Sequence, residues 1–248
     1  MPNHPRIRVF AGPNGSGKTT LYQELSKNYS SGYFINADEI EKKLLNNRLI
    51  DLTELGLKSS QDELNLFKNS SLASSLISKA KEQNCTIDVV IDENFIVNKP
   101  KITNSYEASF VASFLRYLLI KNKKSFSYET VMSHHGKIEE INQANKLGYK
   151  TYLYFVCTDH FEKNIHRVKI RVDKGGHFVD EDKIKDRYFK TLENLSSAIK
   201  NVHRAFIFDN SNSKNELIAE IYQSNAFKFH SSSIPAWFEE YVYNKFEF

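Results

Sequence analysis

Apolar positions along this chain follow two alternating patterns. Short apolar runs read as buried strands: Arg6–Ala11, Tyr33-Phe34-Ile35, the alternating stretch Ser125 to His135, Lys150 to Val156, and Ala205 to Asp209. Between them lie stretches whose apolar residues share one helical face. The clearest is Ala108 to Lys121, with Phe110, Val111, Phe114, Leu115, Leu118 and Leu119 on one side. Thr19 to about Lys27, Lys137 to Leu147, Phe161 to Val172 and Glu181 to Lys200 also read as helices, Gly148 stopping the second of these. Strands alternating with helices from end to end predict a three-layer α/β fold with a five-stranded parallel sheet. An aromatic helix near Ile234 to Val242 closes the pattern and packs on the body.

From about Glu41 to Tyr106 the rhythm weakens. Leu44, Leu45, Leu49 and Ile50 look helical, as does Gln61 to Lys81, although that stretch is rich in Ser and Asn. Thr86 to Ile91 and Phe95-Ile96-Val97 have strand composition and read either as a short β element or as a substrate-side cap. The whole 41–106 stretch is read as a helical insertion within a single domain spanning 1–248. Its carboxylates Asp88, Asp92 and Glu93 read as solvated.

The first strand runs into Gly12-Pro13-Asn14-Gly15-Ser16-Gly17-Lys18-Thr19, which fits the phosphate-binding pattern G-x-x-x-x-G-K-[ST]. A strand before it and a helix after it are the context that pattern requires, so the expected fold is that of a P-loop kinase. Glycines let successive backbone N–H groups turn toward phosphate oxygens, and the helix adds the positive end of its dipole. Lys18 can reach the β- and γ-phosphates and Thr19 can place its hydroxyl on Mg²⁺. The expected ligands are therefore a nucleoside triphosphate, held by Gly12 through Thr19 with Thr20, and magnesium on Thr19.

Composition narrows the class. Of 248 residues, 34 are basic and 30 acidic, a net charge of +4 that is too balanced to argue for nucleic acid. Two cysteines form no disulfide framework, and no apolar run approaches the length of a membrane span. Met1-Pro2-Asn3-His4-Pro5 leads directly into the first strand with no signal peptide, so a reducing cytoplasm is the expected compartment.

Three further groups carry candidate chemistry. Asp38 and Glu39 follow the second strand, where an open parallel sheet binds ligands. Asp38 reads as a helix N-cap, as a catalytic carboxylate, or as both. Glu129 lies within a run that a parallel sheet would bury on both faces, so it needs either a ligand or a structural partner. Thr130, Ser133 and His134 lie beside it as polar lining. Arg167 and Arg171 share a helix face one turn apart, ahead of Gly175-Gly176, with Arg187 beyond. Helix, Gly-Gly break and helix, with arginines on both sides, is the pattern of a mobile lid over residues 160–190; the alternative is an ordinary basic helix face.

These blocks, in this order, resemble the zeta toxin family of P-loop kinases, and more closely its shorter single-domain, zeta-toxin-like members. The blocks are Ala11–Thr20, Asn36–Ile40, Phe126–Ser133, Gly148–Val156, Arg167–Val172 with Gly175-Gly176-His177, and Asp186-Arg187-Tyr188. The resemblance implies an ATP-dependent kinase whose relatives phosphorylate UDP-N-acetylsugars or NAD. It implies that Asp38 is the base for the acceptor hydroxyl, that Glu129 helps hold the substrate, and that Arg171, with Arg167 and Arg187, meets the ATP phosphates. An arginine that the toxins carry shortly after this glutamate is absent from Val131-Met132-Ser133-His134. The acceptor expected is a small molecule with a nucleotide-linked hydroxyl. A nucleoside, a polynucleotide end, and water in an ATPase or switch acting through a protein partner are the alternatives. Ile91-Asp92-Glu93 offers the only Walker B-like carboxylates for that last reading. Toxicity and an antitoxin-like protein partner do not follow from these residues.

Overall fold

The computed structural model describes residues 4–99, 103–176 and 178–246. His177 and Met1-Pro2-Asn3, which entered the expectations above, lie outside the described residues. The chain begins β1 (Arg6–Ala11), α1 (Lys18–Ser26), β2 (Tyr33–Ile35), α2 (Ala37–Asn47), β3 (Leu49–Asp51), α3 (Gln61–Lys68) and α4 (Ser71–Glu82). It continues with β4 (Val89–Asp92), β5 (Phe95–Asn98), α5 (Ser105–Lys121), β6 (Phe126–Thr130), α6 (Gly136–Lys146), β7 (Lys150–Cys157) and α7 (Phe161–Asp173). It ends with α8 (Glu181–Glu193), α9 (Leu195–Lys200), β8 (Arg204–Asp209), β9 (Glu216–Tyr222), β10 (Ala226–Phe229) and α10 (Ala236–Tyr241). These elements form two compact units, Met1–Ser31 with Ser127–Phe248, and Gly32–Phe126.

The α/β class holds, but the central sheet has seven strands rather than five. The six in the first unit run in the order β10-β9-β8-β7-β1-β6. β1, β7 and β8 are parallel neighbours, whereas β9 and β10 add an antiparallel edge that the sequence reading missed. β1 and β7 pair from Arg6↔Lys150 to Ala11↔Phe155. Across this register Phe10 stacks on Tyr154 and Tyr154 on Phe206, each pair with ring centroids 4.9 Å apart. The ladder joins three adjacent strands, and Leu21 of α1 packs with Phe10, Val156 and Phe208 in one apolar cluster. Helix and strands on either side of the glycine motif are therefore held by the same core.

The second unit corrects the expected helical insertion. Leu49 and Ile50, which look helical in sequence, belong to β3, and β3-β5-β4 forms a three-stranded antiparallel sheet. Gln61 to Lys81 is two helices, α3 and α4, the second capped by the Ser70 hydroxyl on the Ala73 N–H. α5 belongs here too, packing on α2 and α4. A buried cluster sits at its centre: Phe67 has its ring 5.4 Å from that of Phe110, 5.2 Å from Phe114 and 5.3 Å from Tyr117. Glu107, 1% exposed, accepts from the Asp88 N–H at 2.9 Å and the Thr103 hydroxyl at 2.7 Å, which ties the start of α5 to the chain before β4.

Phe67 is 1% exposed, so Phe67→Ala is expected to cost about 3–5 kcal/mol of stability by removing buried surface and leaving a cavity. Urea unfolding of the purified protein checks this, and a loss below about 1 kcal/mol would mean that the cluster is not packed as described.

Candidate functional site

The glycine loop follows β1 because the backbone there must turn in ways only glycine tolerates. Gly12, Gly15 and Gly17 have φ of 149°, 75° and 103°. Space is closed as well. A Cβ on Gly12 would lie 2.1 Å from the Val156 carbonyl oxygen of β7, and one on Gly15 would lie 2.6 Å from the Asn164 carbonyl oxygen of α7. The loop is thus pressed against the exit of β7 and the first turns of α7. Gly17 caps α1, whose first backbone bond runs from the Leu21 N–H to the Gly17 carbonyl at 2.9 Å.

Lys18 turns back over its own loop. Its Nζ donates to the Gly12 carbonyl at 3.0 Å and the Pro13 carbonyl at 2.8 Å. The ammonium is thus held against the backbone of the loop itself, whose Ser16 N–H donates to the Pro13 carbonyl at 3.3 Å. Within that loop Asn14 Oδ1 and Ser16 Oγ are buried with no hydrogen-bond partner among the described residues. Buried polar atoms ordinarily have partners, so these two are what a site prepared for a polar ligand would show. Thr19 Oγ1 donates to Glu129 Oε2 at 3.2 Å. Glu129 sits near the end of β6, half-buried, and its carboxylate therefore stands beside the first turn of α1. A hydroxyl and a carboxylate side by side are hard oxygen donors, the type that Mg²⁺ takes.

Other expected residues fall into place differently. Thr130 Oγ1 accepts from the Met132 N–H at 3.2 Å and so is engaged in a local turn, where Met132 has φ 61°. That turn is also held by α8, through Thr191 Oγ1 on the Val131 carbonyl at 2.8 Å and Asn194 Nδ2 on the Met132 carbonyl at 3.1 Å. Ser133 is buried and His134 exposed. Arg167, on α7, donates from Nη2 to the Asn210 carbonyl at 2.9 Å. Its Nη1 is buried with no hydrogen-bond partner among the described residues. Arg171 lies one turn on, near the end of α7, where its carbonyl accepts from the Gly176 N–H at 2.8 Å. A Cβ on Gly176 would meet the Arg171 side chain at 2.6 Å, so the Gly-Gly break lets the chain fold tightly over the helix end. Arg187 is half-buried on α8, which an exposed Lys169–Glu181 ion pair of 2.7 Å links to α7. Such a pair contributes about 0–1 kcal/mol, too little to lock one helix on the other.

Asp38 belongs to the second unit. The N-cap of α2 is Asn36, not Asp38: Asn36 Oδ1 accepts from the Asp38 N–H at 2.8 Å and the Glu39 N–H at 3.4 Å. The Asp38 side chain is exposed in the first turn and its carboxylate is not needed as a cap. Ile91-Asp92-Glu93 does not end a strand of a parallel sheet. It enters a tight antiparallel hairpin between β4 and β5, with Glu93 and Asn94 at φ 43° and 70°.

Sequence reasoning missed three polar residues behind the glycine loop, Thr158, Asn164 and Asn210. Thr158 and Asn164, both fully buried, are joined by a bond from Thr158 Oγ1 to Asn164 Oδ1. Tyr188 of α8 donates to the Thr158 carbonyl at 2.7 Å, and burial pushes its phenol well above the usual tyrosine range, so it stays a donor. Asn210 follows β8 and bonds the loop itself. An asparagine on the inner side of an otherwise amphipathic helix was the available signal for Asn164. Nothing in the run Asp209-Asn210-Ser211-Asn212 distinguishes Asn210 from a solvated turn.

Gly12→Ala is expected to abolish binding of an ATP analogue, with affinity at least about 100-fold weaker, because the added methyl meets backbone rather than a side chain that could move. Fluorescence titration measures this. Wild-type affinity in the variant would contradict the loop geometry.

The sequence matches the zeta toxin family over residues 99–226. The matched stretch holds Glu129, Arg167, Arg171, Arg187 and Asn210; the glycine loop and Asp38 precede it. An uncharacterised protein of Haemophilus influenzae is 30% identical over 107 residues, which are 41% of this chain and 76% of that protein. Among solved structures, a chain of the AvrRxo1-ORF1:-ORF2 complex superposes with a TM-score of 0.57 at 14% identity, over 92% of this chain and 62% of that one. The AvrRxo1-ORF1:-ORF2 structure with ATP gives 0.52 at 15% identity, covering 92% and 61%. This chain thus spans about three fifths of the length of those structural relatives, and at such identities the likeness shows the fold. No described helix is long and apolar enough to cross a membrane. The chain belongs to the zeta toxin family.

Proposed function

We propose that this protein is a Mg²⁺-ATP-dependent kinase that phosphorylates a hydroxyl of a nucleotide-linked small molecule, such as a UDP-N-acetylsugar or NAD. The observation that carries the reading is the glycine loop with Lys18 folded over it and Thr19 bonded to Glu129. A parallel strand, a closed glycine turn and a helix N-terminus in succession are the arrangement in which loop N–H groups bind a polyphosphate.

In this reading Gly12 through Thr20 hold the ATP phosphates. Lys18 exchanges its two carbonyl acceptors for phosphate oxygens. Thr19 would hold Mg²⁺, and Glu129, beside it, would hold the ion's water shell while its strand end faces the acceptor. A bound ion would supply positive charge against the phosphates. Arg171, with Arg167 and Arg187, adds positive charge around the migrating group. Asp38 takes the proton of the acceptor hydroxyl; the acceptor oxygen bonds to the γ-phosphorus as the bond to the ADP oxygen breaks. Thr130, Ser133 and His134 line the acceptor side. A protein partner belongs to the reading as well, since AvrRxo1-ORF1 was solved in complex with ORF2. The switch or ATPase alternative loses its support, because its candidate carboxylates sit at an antiparallel hairpin.

Incubation with γ-labelled ATP and a panel of UDP-sugars, NAD, nucleosides and oligonucleotide ends tests this. A labelled small-molecule product is expected with the wild type. Asp38→Asn should slow its formation by about 10²- to 10⁴-fold while ATP still binds. Release of free phosphate alone, unchanged in Asp38→Asn, would move the protein to the ATPase class. Lys18→Ala is expected to weaken ATP binding about 10- to 150-fold, the worth of a charge-assisted contact, as read by calorimetry. Unaltered affinity would remove Lys18 from the site.

A further inference from the structure

We propose that Asn210 is a positioning residue for the phosphate cradle: it pins the Ser16–Gly17 peptide of the glycine loop from behind and links that loop to Arg167. The inference rests on the nucleotide-binding reading of the loop and extends it to a residue on a distant strand end.

Four observations converge on this one residue, two on its side chain and two on its backbone. Asn210 Nδ2 donates to the Ser16 carbonyl at 2.8 Å, a bond that spans 194 residues of sequence. The Asn210 N–H donates to the Cys157 carbonyl at 2.7 Å, which continues the β7–β8 pairing past the strand ends and fixes where the side chain starts. The Asn210 carbonyl accepts from Arg167 Nη2 at 2.9 Å. The fourth is steric: a Cβ on Gly17 would lie 2.3 Å from Asn210 Nδ2, so the amide occupies the space that a side chain at Gly17 would take.

The physical consequence follows from peptide geometry. The Ser16 carbonyl and the Gly17 N–H belong to one planar peptide, so a donor that holds the carbonyl backward turns the N–H forward. Gly17, at φ 103°, has no Cβ to hold that orientation by sterics. A fixed donor on the sheet side therefore supplies the rigidity that glycine gives up. The strand end beneath is itself braced. Asp209, 6% exposed, accepts from Trp237 Nε1 at 2.9 Å, from the Ser211 N–H at 3.0 Å and from the Ser211 hydroxyl at 2.9 Å. A carboxylate with three donors leaves the Asn210 backbone little freedom. The Arg167 guanidinium, one nitrogen spent on Asn210 and Nη1 buried with no hydrogen-bond partner among the described residues, is oriented by the same residue.

Binding of inorganic tripolyphosphate and of ATP, each by calorimetry, tests the proposal in the full chain. Tripolyphosphate reads the cradle without a base or ribose. Asn210→Ala should weaken both ligands by a similar factor, about three- to tenfold, the usual worth of one hydrogen bond. Asn210→Asp keeps the shape but cannot donate to the Ser16 carbonyl, and should weaken both at least as much; it also serves if the alanine variant fails to fold. Loss of ATP affinity with unchanged tripolyphosphate affinity would overturn the proposal and make Asn210 a contact to the nucleoside. Unchanged affinity for both would overturn it outright. A wild-type protein that binds neither ligand would sink the functional reading together with this inference.

Discussion

One backbone contact governs the first unit: the turn at Gly12 passes so close to the Val156 carbonyl of β7 that no side chain fits between. Everything that positions the candidate site serves that approach. The β1–β7 register, the Phe10–Tyr154–Phe206 stack and the packing of Leu21 against Val156 set strand and helix at the separation the turn requires. Gly15 then meets the Asn164 carbonyl, and Gly17 meets the Asn210 amide. The three glycines thus touch three different elements: β7, α7 and the loop after β8. A loop built only for flexibility would have no reason to be enclosed on three sides. This one is backbone closed in by three neighbouring elements.

Around that loop the charge is arranged by short, specific bonds rather than by net charge, which is small. Lys18 is held over the loop, Thr19 is paired with Glu129, and Arg167 is fixed through Asn210. The family match begins after the glycine loop and covers the glutamate, the arginines and Asn210, so two separate lines of observation meet on the first unit. Asp38 comes from the second unit, where Asn36 takes over capping and leaves the Asp38 carboxylate exposed in the first turn of α2.

Much of this was legible in sequence because it depends on local pattern. The glycine motif, the long apolar face of α5 and the apolar run of β7 each announce themselves within about twenty residues. The misreadings share a cause: pairing over long separations decided what local pattern could not. Leu49 and Ile50 look like the end of a helix, yet they pair with Ile96 and Val97 in β5. The turns at Glu93-Asn94 and Gln223-Ser224 lie at positive φ without any glycine, so neither carries the Asn-Gly or Asp-Gly pair that marks a hairpin in sequence. Glu181 to Lys200 reads as one helix because its apolar rhythm continues through Asn194, where α8 ends and α9 begins with the backbone still in the right-handed helical region. At the site, Gly12 to Thr19 were visible, but Asn164 and Asn210 were not, since a polar residue that braces a loop from behind has no motif of its own.

The measurement that bears most directly on the account is an amide NMR titration of the isotopically labelled protein with Mg²⁺-ATP. The account expects the N–H signals of Gly12 through Thr19 to move first and furthest, with Asn210 and Arg167 following, because the phosphates meet the backbone of that loop. Signals in the glycine loop that stay in place at saturating nucleotide, while others shift or none do, would contradict it.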